Sequence, residues 1–329
     1  MNNLRAVRDH FRTARSRSGS VRREEQIMRR CAGKLPMGPG APSHRKWLVP
    51  AVYALVLLGL SHPLHVTRAA PPDAVPGQLR IATWNMCGVR QWNCEDTGTR
   101  AAKIRALKRL AVIDGVRVVM LQEVCAEDLA DARNELGEGW NSTFLPYVVQ
   151  SVEGRRTEVR CAGAGGTAGL AVLALSSLTR VSVVPTRQPA VGLHRGVVCA
   201  TAAALAVRVC NAHLSLPGND RAHGGRELRD DQLHSLVGAA DEHTVLGGDL
   251  NSAPPGSGNK DSWIWPYDTY RTYRECDQGA AVSRSGRSTH STGHKVDYLF
   301  TALPRTHCSV RGTGASDHLA LVIQVGRRA

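Results

Sequence analysis

The chain has 329 residues, with 42 Lys or Arg against 28 Asp or Glu, which gives a formal net charge of +14 and a pI near 9.8. Residues 1–69 hold 13 of the basic and 3 of the acidic residues, so the remaining 29 basic and 25 acidic residues carry a charge of only +4. This distribution excludes a strongly basic main domain, because most of the charge that would indicate a nucleic-acid binder lies in the N-terminal segment.

An apolar run from Trp47 to Leu60 lies within this basic segment. It is uncharged over 14 positions, which is shorter than the about 20 residues that a transmembrane helix needs. The small residues around 67–69 are typical of the cleavage site of a secretory signal. We therefore predict a leader over 1–69 and a secreted protein, and an N-terminal anchor with an extracellular domain is the alternative. Met28 and Met37 are candidate translation starts.

The elements that follow predict one domain over 79–329, long enough for one large core, after an extended linker over 70–78. Helical periodicity predicts helices over 99–113, 126–136 and 226–240. Strands outnumber these helices and many are apolar on both faces, so we predict an α/β sandwich of two packed sheets with outer helices. The predicted strands are 79–85, 116–124, 144–152, 168–175, 196–203, 205–214, 244–251, 295–302 and 317–325.

Eight cysteines follow the leader, which itself contains Cys31. An even number in an exported chain indicates four disulfides, and pairing in sequential order is our preferred connectivity. Cys199 and Cys210 lie in adjacent predicted strands that can form a hairpin. No pair has the close spacing of a zinc site. Eight buried free thiols are the alternative.

Polar side chains lie at or near the ends of six predicted strands, where distant residues can meet in one cleft. Alone, each is more often a turn residue or a helix cap, so their joint order is the informative feature. They are Asn85, Glu123, His213, Asp249 with Asn251, Asp297, and Asp317 with His318.

The segments that carry these residues resemble, in order, the motifs of the endonuclease/exonuclease/phosphatase superfamily. The resemblance covers residues 79–325 and implies a four-layer α/β sandwich of two mixed β-sheets flanked by helices, which hydrolyses phosphoesters with a divalent metal. The matching segments are ATWN (82–85), LQEV (121–124), NAHLS (211–215), GGDLNSAP (247–254), KVDYLF (295–300) and SDHLAL (316–321).

The resemblance also implies a metal site. Glu123 is the direct ligand, with Asn85 and Asp317 nearby to bind the ion or orient the phosphate. Oxygen ligands of this kind suit Mg²⁺, with Mn²⁺ or Ca²⁺ as alternatives, rather than Zn²⁺.

The remaining residues of the constellation take roles in hydrolysis. Asp249 resembles the carboxylate that positions the attacking water, and Asn251 fixes the geometry of water and phosphate. His318, polarised by Asp297, donates to a non-bridging oxygen, and His213 contacts the phosphate or assists the leaving oxygen. Whether Asp249 or His318 is the base is left open by the sequence.

Two further positions have alternative interpretations. Arg195, before a predicted strand, is either a phosphate contact or a surface residue. In deoxyribonuclease-like members a carboxylate partners the first catalytic histidine, but residues 147–155 offer only Glu153, without a clear match. The role of His213 as a general acid is therefore in question.

The substrate is the least determined property. An aromatic cluster has three interpretations: it packs a long loop, it stacks on nucleic-acid bases, or it inserts into a membrane interface. Arginines in the same region suit a phosphate backbone, and a separate basic stretch over 155–160 adds to that case. We therefore predict an endonuclease that hydrolyses DNA or RNA, with no obligate protein partner. A lipid- or inositol-phosphate-directed enzyme and a non-catalytic binding module are the alternatives. The aromatic residues are Trp263, Trp265, Tyr267, Tyr270 and Tyr273, and the arginines are Arg155, Arg156, Arg160, Arg271, Arg274, Arg284 and Arg287.

Overall fold

The computed structural model describes residues 77–94, 97–256 and 258–326. The predicted leader and most of the predicted linker lie outside the described residues, so both stay predictions. Among the described residues, no helix has the length and apolar character needed to cross a membrane.

Two six-stranded mixed sheets form the centre of the fold. The strands are β1 (Gln78–Asn85), β2 (Val118–Cys125), β3 (Trp140–Pro146), β4 (Val148–Gln150), β5 (Arg156–Glu158), β6 (Ala168–Leu175), β7 (Leu178–Val184), β8 (Gly192–His194), β9 (Gly196–Ala202), β10 (Val207–His213), β11 (Thr244–Asp249), β12 (Arg274–Glu275), β13 (Asp297–Thr301), β14 (Arg305–Arg311) and β15 (Ala320–Gly326). The first sheet has the order β14-β15-β1-β2-β6-β3 and the second β12-β13-β11-β10-β9-β7, while β5-β4-β8 form a small third sheet.

Helices cover the outer faces of both large sheets. They are α1 (Arg100–Val112), α2 (Ala126–Leu136), α3 (Arg229–Gly238) and the short α4 (Thr269–Thr272). The hydroxyl of Thr99 accepts a hydrogen bond from Ala102 N–H at 3.3 Å and thereby caps the start of α1. Leu107 of α1 packs in a buried cluster with residues of the first sheet, and Leu233 of α3 packs with residues of the second.

A separate apolar cluster fills the space between the two sheets. It joins Ile81 and Val118 of the first sheet to Val209 and Val245 of the second, and all four side chains are almost fully buried. Helix, sheet, sheet and helix therefore form four layers, and the predicted fold class is confirmed.

The register of the sheets brings the predicted site residues to one edge. Asn85 lies opposite Gln122 in the parallel pair β1–β2, and Asp249 lies opposite both His213 of β10 and Asp297 of β13. Gly248 has φ +126°, and a Cβ added there would lie 1.9 Å from the carbonyl oxygen of Ala212. Glycine is therefore required directly before Asp249.

The prediction of one strand over 144–152 is wrong. The chain leaves the first sheet after Pro146 and enters the small sheet at Val148, so Tyr147 lies at the point where it changes sheets. Five further strands were not predicted from the sequence, namely β5, β7, β8, β12 and β14. Of these, β7 is an edge strand whose Val181 and Val183 are exposed, so it lacks the continuous apolar pattern of a buried strand.

Four disulfides connect the cysteines in sequential order, as predicted. They are Cys87–Cys94, Cys125–Cys161, Cys199–Cys210 and Cys276–Cys308. Cys199 and Cys210 face each other across the antiparallel pair β9–β10, which confirms the predicted hairpin. The alternative of eight free thiols is wrong.

Candidate active site

A cleft of about 540 Å³ opens at the strand ends where the two sheets meet. The structure brings all nine predicted site residues together at this cleft. Seven of them line it, which are Glu123, Arg195, His213, Asp249, Asn251, Asp317 and His318. The other two, Asn85 and Asp297, lie behind the lining and contact Asp249 and His318.

Asn85 connects the carboxylates of the two sheets. Its Oδ1 accepts a hydrogen bond from Cys87 N–H at 2.9 Å, which fixes the orientation of the amide. Its Nδ2 then donates to Glu123 Oε1 at 3.1 Å and to Asp249 Oδ2 at 3.0 Å. Asn85 therefore offers N–H groups to these carboxylates, whereas the sequence predicted an oxygen ligand for a metal.

Asp249 Oδ2 is the centre of the polar cluster. Besides Asn85 Nδ2, His213 Nε2 lies 3.5 Å and His318 Nε2 lies 3.8 Å from this oxygen. The other oxygen, Oδ1, accepts the backbone N–H of Asn251 at 3.0 Å. Burial by itself raises the pKa of Asp249, but the two histidines and these hydrogen bonds outweigh it and lower the pKa below its usual value. Asp249 is therefore ionised at neutral pH.

His318 forms a buried pair with Asp297. Its Nδ1 lies 2.9 Å from Asp297 Oδ2, and the side chain of Asp297 is fully buried. Burial alone would lower the pKa of His318, but the carboxylates of Asp297 and Asp249 raise it to about 10. The ring is therefore an imidazolium at neutral pH.

His213 has a partner that the sequence did not reveal. Its Nδ1 lies 2.7 Å from the hydroxyl of Tyr147, whose oxygen also accepts Glu123 N–H at 3.1 Å. With that acceptor position filled, the phenol satisfies its own proton by donating it to Nδ1, which leaves the His213 proton on Nε2. Burial and the charge of Arg195 hold the pKa of His213 well below its usual value, so the ring is neutral.

Glu123 adopts a strained backbone conformation beside the cleft. Its φ of +51° lies in the left-handed region, at the point where the pairing of β2 with β6 shifts register. Such a conformation costs about 1–3 kcal/mol for a residue other than glycine. Burial raises the pKa of its carboxyl group to about 7. No Lys, Arg or His among the described residues forms an ion pair with it.

Arg195 brings a positive charge to the same wall of the cleft. The charge lowers the pKa of both Glu123 and His213, and the guanidinium lies 5.8 Å from the ring centroid of Trp92. Nε and Nη1 are buried without a hydrogen-bond partner among the described residues. Such donors are costly to leave unsatisfied, which fits a group that receives an anionic ligand.

Lys103 is a second residue that the sequence reasoning missed. Its buried ammonium group donates to the carbonyl oxygens of Met86 at 2.6 Å and Ala315 at 2.7 Å. These bonds tie the segment after Asn85 to the segment before Asp317. The available signal was helical spacing, because Lys103 falls four residues before the buried Leu107 on the apolar face of α1.

Other predicted contributors lie elsewhere. None of the five aromatic residues lines the cleft: Trp265, Tyr270 and Tyr273 are buried in the outer core of the second sheet, and Trp263 and Tyr267 are exposed. The cleft lining also lacks the four arginines of this region, Arg271, Arg274, Arg284 and Arg287, and Arg287 pairs with Asp277. Their contact with a substrate stays a prediction. Glu153 is exposed and Tyr147 is the partner of His213 instead.

Three side-chain groups near the cleft have the spacing of metal ligands, and none of them is the predicted ligand set. Cys87, Cys94 and Glu123 form the first, but the two sulfurs are joined in a disulfide and are not thiolate ligands. The second consists of His290, Asp317 and His318, and the third of Asp249, Asp297 and His318, each with donor atoms within 4.8 Å of one another.

Carboxylates, imidazoles and amides meet at the converging strand ends of a two-sheet sandwich. The model of the Endonuclease/Exonuclease/phosphatase family matches residues 82–318, so the chain belongs to this family of phosphoester hydrolases. A search of curated proteins found no significant match.

Solved structures share the fold at low sequence identity. An endonuclease/exonuclease/phosphatase from Beutenbergia cavernae is 19% identical with a TM-score of 0.52, covering 76% of this chain and 72% of its own. The human Nocturnin catalytic domain, with bound sulfate, is 15% identical with a TM-score of 0.54, covering 75% and 94%. A humanized D. rerio TDP2 is 15% identical with a TM-score of 0.52, covering 75% and 98%.

Proposed function

We propose that the protein is an exported, divalent-metal-dependent phosphodiesterase that cleaves DNA or RNA internally. The observation that carries the proposal is the arrangement around Asp249 Oδ2. An amide, a neutral imidazole and an imidazolium lie within 3.8 Å of this oxygen, in the cleft that also contains Glu123 and Asp317. Four disulfides and the predicted leader support export.

Glu123 and Asp317 are the residues that would hold the metal. Both line the cleft, and Glu123 is a carboxylate without an ion-pair partner among the described residues, which suits a hard cation such as Mg²⁺. Mn²⁺ or Ca²⁺ fits the same oxygen donors. When bound, the ion supplies Lewis-acid stabilisation of the charge that develops on a phosphoryl oxygen.

Asp249 is the base in this proposal. Its lowered pKa keeps it ionised, whereas His318, with a pKa of about 10, is already protonated at neutral pH and cannot accept the proton of water. Asp249 therefore orients the attacking water and takes its proton, with the carboxylate itself positioned by the backbone of Asn251 and by Asn85.

The negative charge that develops on the non-bridging oxygens of the phosphoryl group is met by fixed donors. His318 donates from Nε2 as an imidazolium that Asp297 stabilises, and His213 donates from Nε2 as a neutral ring whose tautomer Tyr147 sets. The unpartnered guanidinium nitrogens of Arg195 bind a non-bridging oxygen. Preorganised donors of this kind are among the largest contributions to phosphoryl and acyl transfer.

A nucleic-acid substrate is supported by positive charge in and beside the cleft. Arg221 and Arg195 line it, and the small sheet that contributes Val149 and Leu193 to the lining also carries Arg156. A D. rerio TDP2 of the same fold is described in complex with a single-strand DNA product. Phosphate backbones bind such positively charged walls without regard to sequence.

Plasmid nicking tests the proposal. The secreted protein is expected to nick supercoiled plasmid with Mg²⁺, and chelator or Asp249→Ala is expected to abolish nicking. Asp268→Ala, at an exposed position outside the cleft, is the matched control. Sphingomyelin vesicles and an inositol polyphosphate are assayed in parallel.

Intact plasmid with hydrolysis of either lipid-class substrate would replace the nuclease by the lipid- or inositol-phosphate-directed alternative. If the folded, metal-saturated protein hydrolyses none of these substrates, the result would support the non-catalytic binding module.

A further inference from the structure

His290 is held against the active site by backbone pairing. It lies before β13 and forms an isolated antiparallel bridge with His318. Ser291 N–H donates to Asp317 O at 2.8 Å, and Leu319 N–H donates to Thr289 O at 2.7 Å. The two imidazole rings consequently lie edge to face with centroids 4.6 Å apart. None of the roles proposed above for hydrolysis involves His290.

Three donor atoms of His290, Asp317 and His318 come within 4.8 Å of one another. His290 Nε2 lies 3.3 Å from Asp317 Oδ2, close to the separation of about 3.3 Å between two ligands of one tetrahedral zinc ion with bonds near 2.0 Å. The gap to the third ligand closes with a side-chain movement of the order of 1 Å.

In both rings Nδ1 is engaged by a neighbour, so Nε2 is the nitrogen available to an ion. Nδ1 of His318 contacts Asp297 Oδ2 at 2.9 Å, and a carboxylate behind the ring strengthens it as a ligand. Nδ1 of His290 lies 2.7 Å from Thr292 Oγ1 and 3.2 Å from the backbone nitrogen of Thr292. Metal binding requires the tautomer in which Nδ1 donates its proton to Thr292 Oγ1, because Nε2 then presents its lone pair to the metal.

We propose that His290, Asp317 and His318 form a second metal site, selective for Zn²⁺ or a similar borderline cation, whose occupation blocks phosphodiester hydrolysis. Two imidazoles and one carboxylate suit Zn²⁺, whereas the oxygen donors of Glu123 suit Mg²⁺. A zinc ion on His318 Nε2 occupies the nitrogen that lies 3.8 Å from Asp249, so metal binding here and phosphate binding exclude each other.

The charge of the site favours a dication. The carboxylates of Asp249 and Asp297 contact His318, and Asp317 contacts His290, so three acidic groups surround the two rings. These same carboxylates stabilise the proton on His318, and zinc has to displace that proton. Two positive charges close to three carboxylates interact with them more strongly than one does.

Zinc binding is measured by calorimetry on the whole secreted protein, first without Mg²⁺ and then in millimolar Mg²⁺, which should weaken zinc binding because Asp317 is proposed as a ligand of both ions. The wild type is expected to bind one Zn²⁺ per chain with micromolar affinity, and His290→Asn is expected to weaken binding by about 100-fold or more. His294→Asn, an exposed histidine four residues along the same loop, is the matched control and should bind as the wild type does.

Cobalt substitution provides a second measurement on the unmodified chain. Co²⁺ at this site should give the intense visible absorption of a four-coordinate ion, which Zn²⁺ abolishes, so the test stands even where His290→Asn fails to fold. A wild type that binds no zinc, or a folded His290→Asn that retains full affinity, would overturn the proposed site.

The inhibitory consequence rests on the proposed function, while the binding itself does not. Each protein's hydrolysis rate with zinc is divided by its own rate with Mg²⁺ alone, and the zinc concentration for half inhibition should rise in His290→Asn by the factor seen in calorimetry. Zinc binding without inhibition would remove the regulatory role and leave the site. Zinc binding by a protein that hydrolyses no phosphoester would contradict the proposed function instead.

Discussion

Asp297→Asn is expected to change His318 from a cation to a neutral ring at mildly alkaline pH. The amide keeps an oxygen for His318 Nδ1 but removes the buried charge 2.9 Å away, which is the largest of the effects that raise the pKa of His318 to about 10. Without it, burial lowers the pKa toward the usual 6.5, against the remaining charges of Asp249 and Asp317. A full return to 6.5 would lower the protonated fraction at pH 8 from about 99% to about 3%, so roughly 30-fold is the upper limit of the effect.

If His318 acts as an imidazolium, the rate of the variant should follow this fraction. Mg²⁺-dependent hydrolysis of plasmid and of bis(p-nitrophenyl) phosphate is measured between about pH 6 and 9. Relative to the wild type, the variant is expected to lose up to about 30-fold in rate at pH 8 and to recover most of that loss toward pH 6. The wild type keeps the charge on His318 over this whole range, so its rate should not rise on acidification for this reason. Asp231→Asn, which removes a carboxylate from an exposed pair with Arg187, should leave the profile unchanged.

Two results would refute this reasoning. One is a loss of the same size at every pH, which would mean that Asp297 acts by shape and not by charge. The other is a direct titration of the His318 ring by NMR that gives a wild-type pKa near 6.5. A raised pKa also implies a stability effect: the pairing contributes fully below about pH 6.5 and is lost as pH rises through about 10. Alkaline destabilisation should therefore be smaller in Asp297→Asn than in the wild type.

Four further changes have defined outcomes. Burial raises the pKa of Glu123 to about 7, so Mg²⁺ competes with a proton for this carboxylate. The rise in Tm that Mg²⁺ produces should therefore increase from about pH 6 to 8 and disappear in Glu123→Gln. An unchanged rise in that variant would exclude Glu123 as a ligand. Replacing Cys276 and Cys308 by Ser opens a loop of 32 residues and should cost about 3–4 kcal/mol in urea unfolding while preserving the Mg²⁺ effect. The same change at Cys87 and Cys94, which line the cleft beside Glu123, should weaken Mg²⁺ binding as well, and equal metal affinity in both double variants would contradict that distinction. Tyr147→Phe leaves Glu123 N–H and His213 Nδ1 buried without the phenol, at about 1–3 kcal/mol each, and a loss of stability below about 0.5 kcal/mol would show that the two bonds are not formed in solution.

Elements with a local signal were predicted closely from the sequence. The capping Thr99 marked the start of α1 at Arg100, and the apolar run over 168–175 coincides with β6. Exposed strands lack that signal, which is why β7 and β14 were not predicted. The break at Tyr147 was missed because local sequence pattern does not show that one half of a run pairs with β6 and the other half with β8.

The site residues also divide into those with a local sequence signal, which were predicted, and those without one. Residues in recognisable motifs, such as Asp249 and His318, were predicted because each motif includes its own strand end. Tyr147 and Lys103 were not predicted, because neither belongs to a motif. Tyr147 bonds to Glu123, more than 20 positions away, and Lys103 bonds to Ala315, more than 200 positions away. A carboxylate was the expected partner of His213, whereas a phenol fills that place.

The cleft exists only while the two sheets are packed together. Asn85, Glu123 and His318 belong to the first sheet or its strand ends, whereas Asp249 and Asp297 belong to the second. The Asn85–Asp249 and His318–Asp297 bonds cross between the sheets, as does the buried bond of 2.6 Å from Gln122 to Asn211. A polar bond in a core is costly to leave unmade, so these crossings fix one relative position of the sheets among many that apolar packing alone would allow. Catalytic geometry and sheet registration are therefore set by the same hydrogen bonds, and loosening the packing between the sheets should disperse the site before the individual sheets unfold.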